Sequence, residues 1–148
     1  SFNRLTEIEG TEYVIATIDN WSKIEMKNKY LLFINTVNGQ TKQIDLPKDS
    51  YIEKIEQVKI DSLGINKIIL AAKTVNLDGN KGIDWNDPEQ IIILSTDGQI
   101  RTQITDDKFF VRTWTTNKTT GTIVITGLFP NALENQMEEK NHLGLLRN

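Results

Sequence analysis

A repeated order of strand-like segments constrains the fold of this chain more than any other feature. Each of three units begins with a short apolar run rich in β-branched side chains: Tyr13–Thr17, Lys67–Ala72 and Thr122–Thr126. Runs of this length and composition favour buried β-strands over helices. A repeat at this spacing is typical of solenoids, propellers and other repeat arrays, so the units set the expected architecture.

The first two units continue with a second apolar strand that ends in a turn of the same chemistry. Tyr30–Ile34 leads to an Asn-Gly pair at 38–39, and Gln90–Leu94 leads to an Asp-Gly pair at 97–98. These pairs are the leading signals for two-residue hairpins, because both central positions of a type I′ turn favour positive φ. A polar, alternating third strand follows each turn.

A fourth strand closes each unit in this interpretation, Tyr51–Ile60 in the first and Phe109–Trp114 in the second. The first of these segments also fits helical spacing. The period is close to the roughly 40 to 50 residues of four-stranded propeller blades. The third unit stops after its second strand, near 142–146. We predict one all-β domain over 1–148, with antiparallel four-stranded units at about 11–62 and 65–117 and a partial unit at 120–148.

The two hairpin cores, at 31–40 and 91–99, and the acidic loop between the second unit's first two strands resemble the repeats of TolB-like bacterial β-propeller proteins. The resemblance implies blade-like sheets and a periplasmic or cell-surface protein. Two and a half blades depart from the family, since a closed ring needs at least about four. The chain is then a fragment of a longer propeller, an open sandwich, or one of several chains that complete one another. A plain antiparallel sandwich or barrel also fits the hairpins.

The acidic loop spaces oxygen-bearing side chains as loops that wrap a hard cation do. Five side chains and one backbone carbonyl are the candidate calcium ligands: Asn76, Asp78, Asn80, Gly82, Asp84 and Asp87. The last of these would be the bidentate ligand. In the resembling propellers such loops occur without flanking helices, which agrees with the strands expected on both sides here.

Three positions depart from the usual calcium loop. Asn76 stands first in place of aspartate, Asp87 stands last in place of glutamate, and Lys81 occupies the place of the turn-forming glycine. A lysine there is expected to cost about 1 kcal/mol in left-handed backbone strain and to weaken binding. The alternative is a plain polar turn rich in Asp, Asn and Gly. If calcium binds, we expect a structural role.

Composition disfavours several function classes. The net charge is −3 and no stripe of lysines or arginines runs along the chain, which argues against nucleic-acid binding. No apolar run approaches the roughly 20 residues that span a bilayer. There is no cysteine and the one histidine is His142, so a thiol nucleophile, a catalytic triad or a histidine-bound zinc has little support. Asp106 and Asp107 fit a turn better than a catalytic pair.

Aromatic residues suggest a second kind of site. Trp21 and Trp85 fall in the corresponding first loops of their units, where exposed rings would offer flat faces to sugars or peptides. The alternative is that each ring covers the end of its own blade. Trp114 is expected to pack inside. The segment Ala132–Lys140 has helix-forming composition and predicts a short helix or helical turn.

The leading hypothesis is a non-catalytic binding or scaffold module of an exported bacterial protein, stabilised by calcium. A glycan-binding or glycan-active domain that uses Trp21 and Trp85 is the first alternative, and an inhibitor or immunity-type protein that binds another protein is the second. Unpaired edge strands of an incomplete propeller lead us to expect a weak homodimer.

Overall fold

The computed structural model describes residues 4–17, 29–131 and 136–146, and this part of the chain is all-β, as predicted. It contains eleven strands and one short 3-10 turn at Asp61–Leu63. The strands are β1 Arg4–Glu7, β2 Tyr13–Thr17, β3 Lys29–Asn35, β4 Thr41–Leu46, β5 Tyr51–Ile60, β6 Ile65–Lys73, β7 Gln90–Ser95, β8 Arg101–Gln103, β9 Phe110–Asn117, β10 Thr122–Asn131 and β11 Gln136–Leu145. Among these residues none forms a helix of the length and apolarity needed to cross a bilayer.

The strands form three antiparallel meanders, which we call the first, second and third sheets. Their orders are β1-β2-β3-β4, β5-β6-β7-β8 and β9-β10-β11, and within the described residues no sheet closes into a barrel. The grouping differs by one strand from the repeat units inferred from sequence. Tyr51–Ile60, expected to close the first unit, pairs with β6 and opens the second sheet. Likewise β9 opens the third sheet by pairing with β10.

The second sheet lies between the other two and is apolar on both faces. Along β6, Ile68 and Leu70 pack into a core shared with the first sheet. The residues between and after them, Ile69 and Ala71, pack into a core shared with the third sheet. Side chains of a strand alternate between faces, so a continuous apolar run is what a strand buried on both sides requires.

The hairpin turns are wider than the type I′ turns expected from their sequences. Asn35 donates its amide to the carbonyl of Gln40 at 2.8 Å, and Ser95 donates to Ile100 at 3.0 Å, so four residues lie within each turn. The type I′ turn requires positive φ at both central positions. In each turn only the glycine has positive φ, at 76° for Gly39 and 75° for Gly98. Side-chain oxygens accept the amides of Val37 and Gln99, and one left-handed residue per turn is then sufficient.

The helix expected over Ala132–Lys140 is wrong for the residues that can be checked. From Gln136 onward the chain is strand β11, paired with β10 in a register that places Met137 opposite Pro130. Ladder hydrogen bonds with a long neighbouring strand outweigh a weak local helix propensity. Residues 132–135 lie outside the described part.

Strand β1, at Arg4–Glu7, was not expected from the sequence. All four of its residues are exposed, so it has no alternating apolar signal. It pairs with β2 at the edge of the first sheet.

Candidate functional site

The acidic loop connects β6 to β7 and is held at its base by one buried side chain. The Oε1 atom of Gln90 accepts hydrogen bonds from both the amide and the hydroxyl of Thr74, each at 2.8 Å. The Nε2 atom of Gln90 donates to the carbonyl of Pro88 at 3.0 Å. Because Gln90 is fully buried, this clamp fixes where the loop leaves and re-enters the second sheet.

Asp87 organises the interior of the loop. Its side chain is buried, at 2% exposure. Its Oδ1 accepts the amide of Leu77 at 2.8 Å and that of Asp78 at 3.4 Å, and its Oδ2 accepts the amide of Asp84 at 2.8 Å. One carboxylate therefore ties the two halves of the loop together, and the amides satisfy a group that would be costly to bury alone.

Three of the six candidate calcium ligands come together around this carboxylate. Carboxylate oxygens of Asp78, Asp84 and Asp87 lie within 4.8 Å of one another. Three oxygens converging at this distance suit a hard cation that takes oxygen ligands at about 2.3 to 2.6 Å. The donor set therefore fits calcium in kind.

The two asparagines make hydrogen bonds within the loop. The Nδ2 atom of Asn76 donates to the carbonyl of Asn80 at 2.6 Å, and its Oδ1 accepts the amide of Gly79 at 3.1 Å. The Nδ2 atom of Asn80 donates to Oδ2 of Asp78 at 3.0 Å. Asn80 therefore holds the Asp78 side chain directly, and Asn76 fixes the backbone around Asn80.

Lys81 does not carry the left-handed strain expected from its position. Among the described residues Asp49 is the one non-glycine with positive φ, and the left-handed positions of the loop are Gly79 at 73° and Gly82 at 91°. The sharp turns fall on glycines, so lysine is tolerated between them. A Cβ at position 82 would also come within 2.7 Å of Oδ2 of Asp49, which shows how closely the loop approaches the β4–β5 turn.

A cleft of about 870 Å³ lies beside the loop, where β5 begins and β6 ends. Its walls include the aromatic side chains of Tyr51 and Trp85 and the charged side chains of Glu53, Lys73 and Asp84. Trp85 is 83% exposed and Tyr51 is 47% exposed. The expectation that Trp85 covers the end of its blade is therefore wrong, and the ring is free to contact a ligand.

Trp114 has a packing role, as predicted, and is partly buried. It lies against the core between the second and third sheets. The Nζ atom of Lys54 lies 5.1 Å from the centre of its ring. Trp21, the other tryptophan assigned to a ligand-binding rim, lies outside the described residues. The structure therefore supports one exposed tryptophan next to the acidic loop.

A pair of glutamates beside the cleft was missed at the sequence level. Burial, a hydrogen bond with Glu53 and the charge of Glu53 raise the pKa of Glu89 from 4.5 to about 8, against the opposing effect of Lys73. Glu89 and Glu53 thus share a proton through their hydrogen bond at neutral pH. The Oε1 atom of Glu53 lies 3.6 Å from Nζ of Lys73. Lys73 also donates to the carbonyl of Trp85 at 3.1 Å. No sequence motif contains both glutamates. They meet because a β-bulge in β5 turns Glu53 toward the site.

Asp106 and Asp107 form a turn, as the sequence indicated. Oδ1 of Asp106 accepts the amide of Lys108 at 2.8 Å, and Oδ1 of Asp107 accepts Nε2 of Gln103 at 2.7 Å.

Comparisons with protein-family models, with curated proteins and with solved structures find no match for this chain. The resemblance to TolB-like propellers therefore stays a prediction.

Proposed function

We propose that this protein is a non-catalytic binding module that holds a carbohydrate in the cleft beside the acidic loop. The observation that carries the proposal is the exposure of Trp85 and Tyr51 on the walls of one cleft that also contains carboxylates and a lysine. Sugars have flat CH-bearing faces that pack on aromatic rings, and hydroxyl groups that bond charged side chains. A site of mixed charge suits such a neutral, polar ligand.

The cleft has the usual features of a small-ligand site. Its volume falls within the roughly 300 to 1,000 Å³ typical of ligand pockets. The polar groups are fixed in advance, because Lys73 is bonded to the Trp85 carbonyl and paired with Glu53. Preorganisation of this kind lowers the entropy that binding must overcome.

A glycan array followed by calorimetric titration of the best hit tests the carbohydrate assignment. Trp85→Ala should lower affinity by at least about tenfold, or roughly 1.4 kcal/mol, through loss of the stacking surface. Trp85→Phe should restore part of it. Ile100→Ala, which shortens an exposed apolar side chain outside the cleft, is the matched control and should leave affinity unchanged. An array without any hit overturns the carbohydrate assignment.

The acidic loop has a structural part in this proposal, as a calcium-stabilised wall of the cleft. Asp84 supports it, since this residue belongs to the carboxylate group and also lines the cleft. Calcium would screen three carboxylates that repel one another at short range. Binding to the folded state alone stabilises it by about 2.7 kcal/mol at a free concentration a hundredfold above the dissociation constant.

Thermal unfolding in millimolar calcium and in chelator tests this part separately. The midpoint should rise by several degrees with calcium. Asp78→Asn should remove most of the rise, because it lowers the charge of the group while retaining an oxygen that can accept the Asn80 amide. Asp106→Asn makes the same change at an exposed turn outside the loop, and should keep the rise. Identical midpoints in calcium and chelator for the unmodified protein refute the calcium assignment.

The wider setting proposed here is a bacterial periplasmic or cell-surface protein of the TolB-like propeller class. Three stacked antiparallel meanders, two of four strands and one of three, support the propeller class. The competing hypothesis is that the cleft binds a protein, as in an inhibitor or immunity-type module. This hypothesis is favoured if the glycan array gives no hit and a defined protein partner binds the unmodified chain but not Trp85→Ala.

A further inference from the structure

The outward face of the first sheet, turned away from the second sheet, carries apolar side chains. Leu5 pairs with Ala16 and Ala16 pairs with Leu32 across neighbouring strands, so the three share one face. The core residues Ile15 and Phe33 lie on the other face. Val14 and Ile34 are paired on the same outward face. Leu5 is 70% exposed.

The outward face of the third sheet also carries apolar side chains, with polar residues such as Thr115 and Glu139 among them. Leu143 lies opposite Val124, and Phe110 lies opposite Leu128, on the face away from the core residues of β10. Leu145 follows on the same face of β11. Leu143 is 67% exposed and Leu145 is 71% exposed. Leu5, Leu143 and Leu145 are therefore left largely in water in a single chain, although apolar groups are stabilised by removal from water.

The repeat shows what kind of surface fits each outward face. Strands β3 and β7 correspond in the repeat, with Leu32 at the position of Ile92 and Ile34 at the position of Leu94. Ile92 and Leu94 pack on the sheet that precedes theirs. The outward face of the first sheet is therefore of the kind that packs on a preceding sheet.

The same comparison applies at the other end of the stack. Val124 occupies the place in β10 that Ile69 occupies in β6, and Ile69 packs on the following sheet. The outward face of the third sheet is therefore of the kind that packs on a following sheet. The chain carries both halves of an interface that it already forms twice internally.

We propose that two copies of this chain associate head to tail, with the third sheet of each packed on the first sheet of the other. Two copies form a ring of six sheets, which lies within the range of about four to eight blades seen in propellers. A ring of three copies would have nine sheets, outside that range. The interface is heterologous, and closure at two copies limits its growth.

Sedimentation equilibrium over a wide concentration range tests the association. The unmodified protein should reach twice the chain mass of 16.9 kDa and no more. Leu5→Lys and Leu143→Lys each place a charge on one of the two faces and should each shift the protein toward monomer, raising the dissociation constant at least a hundredfold. Val37→Lys, at an exposed apolar residue in the β3–β4 turn, is the matched control and should remain dimeric. Circular dichroism establishes that each variant is folded, and Leu145→Lys replaces Leu143→Lys if that variant is not.

Mixing the two variants distinguishes head-to-tail packing from symmetric packing. A mixed pair retains one intact interface, formed by the unmodified face of each partner, so equimolar Leu5→Lys and Leu143→Lys should recover part of the dimer. Loss of the dimer with only one variant would indicate symmetric packing and refute the proposal. An unmodified protein that stays monomeric, or whose mass continues to grow with concentration, also refutes it. None of these outcomes depends on carbohydrate binding.

Discussion

Glu89→Gln should remove a pH dependence of stability that the glutamate pair creates. The folded-state pKa of Glu89 is about 8, whereas its ordinary value is 4.5. Between these values the folded protein holds a proton that the unfolded chain has released, so stability falls as pH rises through this window. Below 4.5 both states are protonated, and above 8 both are ionised, so the penalty is then complete.

The size of the effect follows from proton linkage. The full pKa difference would correspond to a ceiling of about 5 kcal/mol. Glu89 is only half-buried, and solvent screening and rearrangement with Glu53 and Lys73 reduce the effect, so we expect about 1 to 2 kcal/mol. For a domain of this length that is a difference in melting temperature of roughly 3 to 6 °C.

Thermal unfolding from pH 4 to pH 9 provides the assay. Glutamine resembles the protonated acid and can still donate to Glu53, so the variant and the unmodified protein should melt together near pH 4.5. The variant should be the more stable above pH 8. Glu9→Gln, at an exposed glutamate, is the matched control and should run parallel to the unmodified protein. Parallel curves for Glu89→Gln as well would refute the assignment of a shared proton.

Two further substitutions test the packing and the loop. Gly127→Ala should destabilise the protein by about 2 to 3 kcal/mol in urea unfolding. The reason is that a Cβ at this position would overlap the backbone oxygen of Phe110 and the ring of Phe109. An unchanged urea midpoint would contradict the close packing of β9 against β10. Asp87→Ala should cost about 2 to 3 kcal/mol even in chelator, because three loop amides lose their acceptor. A loss seen only with calcium present would mean that the carboxylate serves the metal and not the loop.

The sequence predicted the strands well where their signal is hydrophobic. Tyr13–Thr17 and Tyr51–Ile60 begin and end at the expected residues. Strand β1 was missed because its four residues are exposed and show no alternating apolar pattern. The helix near residue 136 was wrongly expected because its basis was local, namely helix-forming composition and the spacing of Leu133 and Met137, whereas pairing with β10 decides the structure. The grouping into sheets differed by one strand, since a linear repeat does not show where a meander starts.

The acidic loop was recognisable because its carboxylate side chains lie close together in sequence, but its backbone conformation was not. A fixed spacing of aspartates survives in sequence as a pattern, and three of the expected ligands do converge. The expected strain at Lys81 was wrong because glycines on either side take the left-handed positions. Spacing thus indicated the chemistry of the loop, while its turns depended on neighbours that the usual calcium pattern does not specify.

The glutamate pair and the cleft depend on one irregular residue in β5. The register of β5 against β6 shifts between Ile52 and Lys54, so Glu53 is the extra residue of a β-bulge. A bulge turns a side chain out of the regular alternation, and here Glu53 bonds Glu89 and pairs with Lys73. Lys73 also donates a hydrogen bond to the Trp85 carbonyl in the acidic loop. Lys73 therefore connects the glutamate pair to the loop and to the exposed tryptophan. The ligand that we propose to stack on Trp85 would therefore lie beside a wall that Lys73 connects to the glutamate pair.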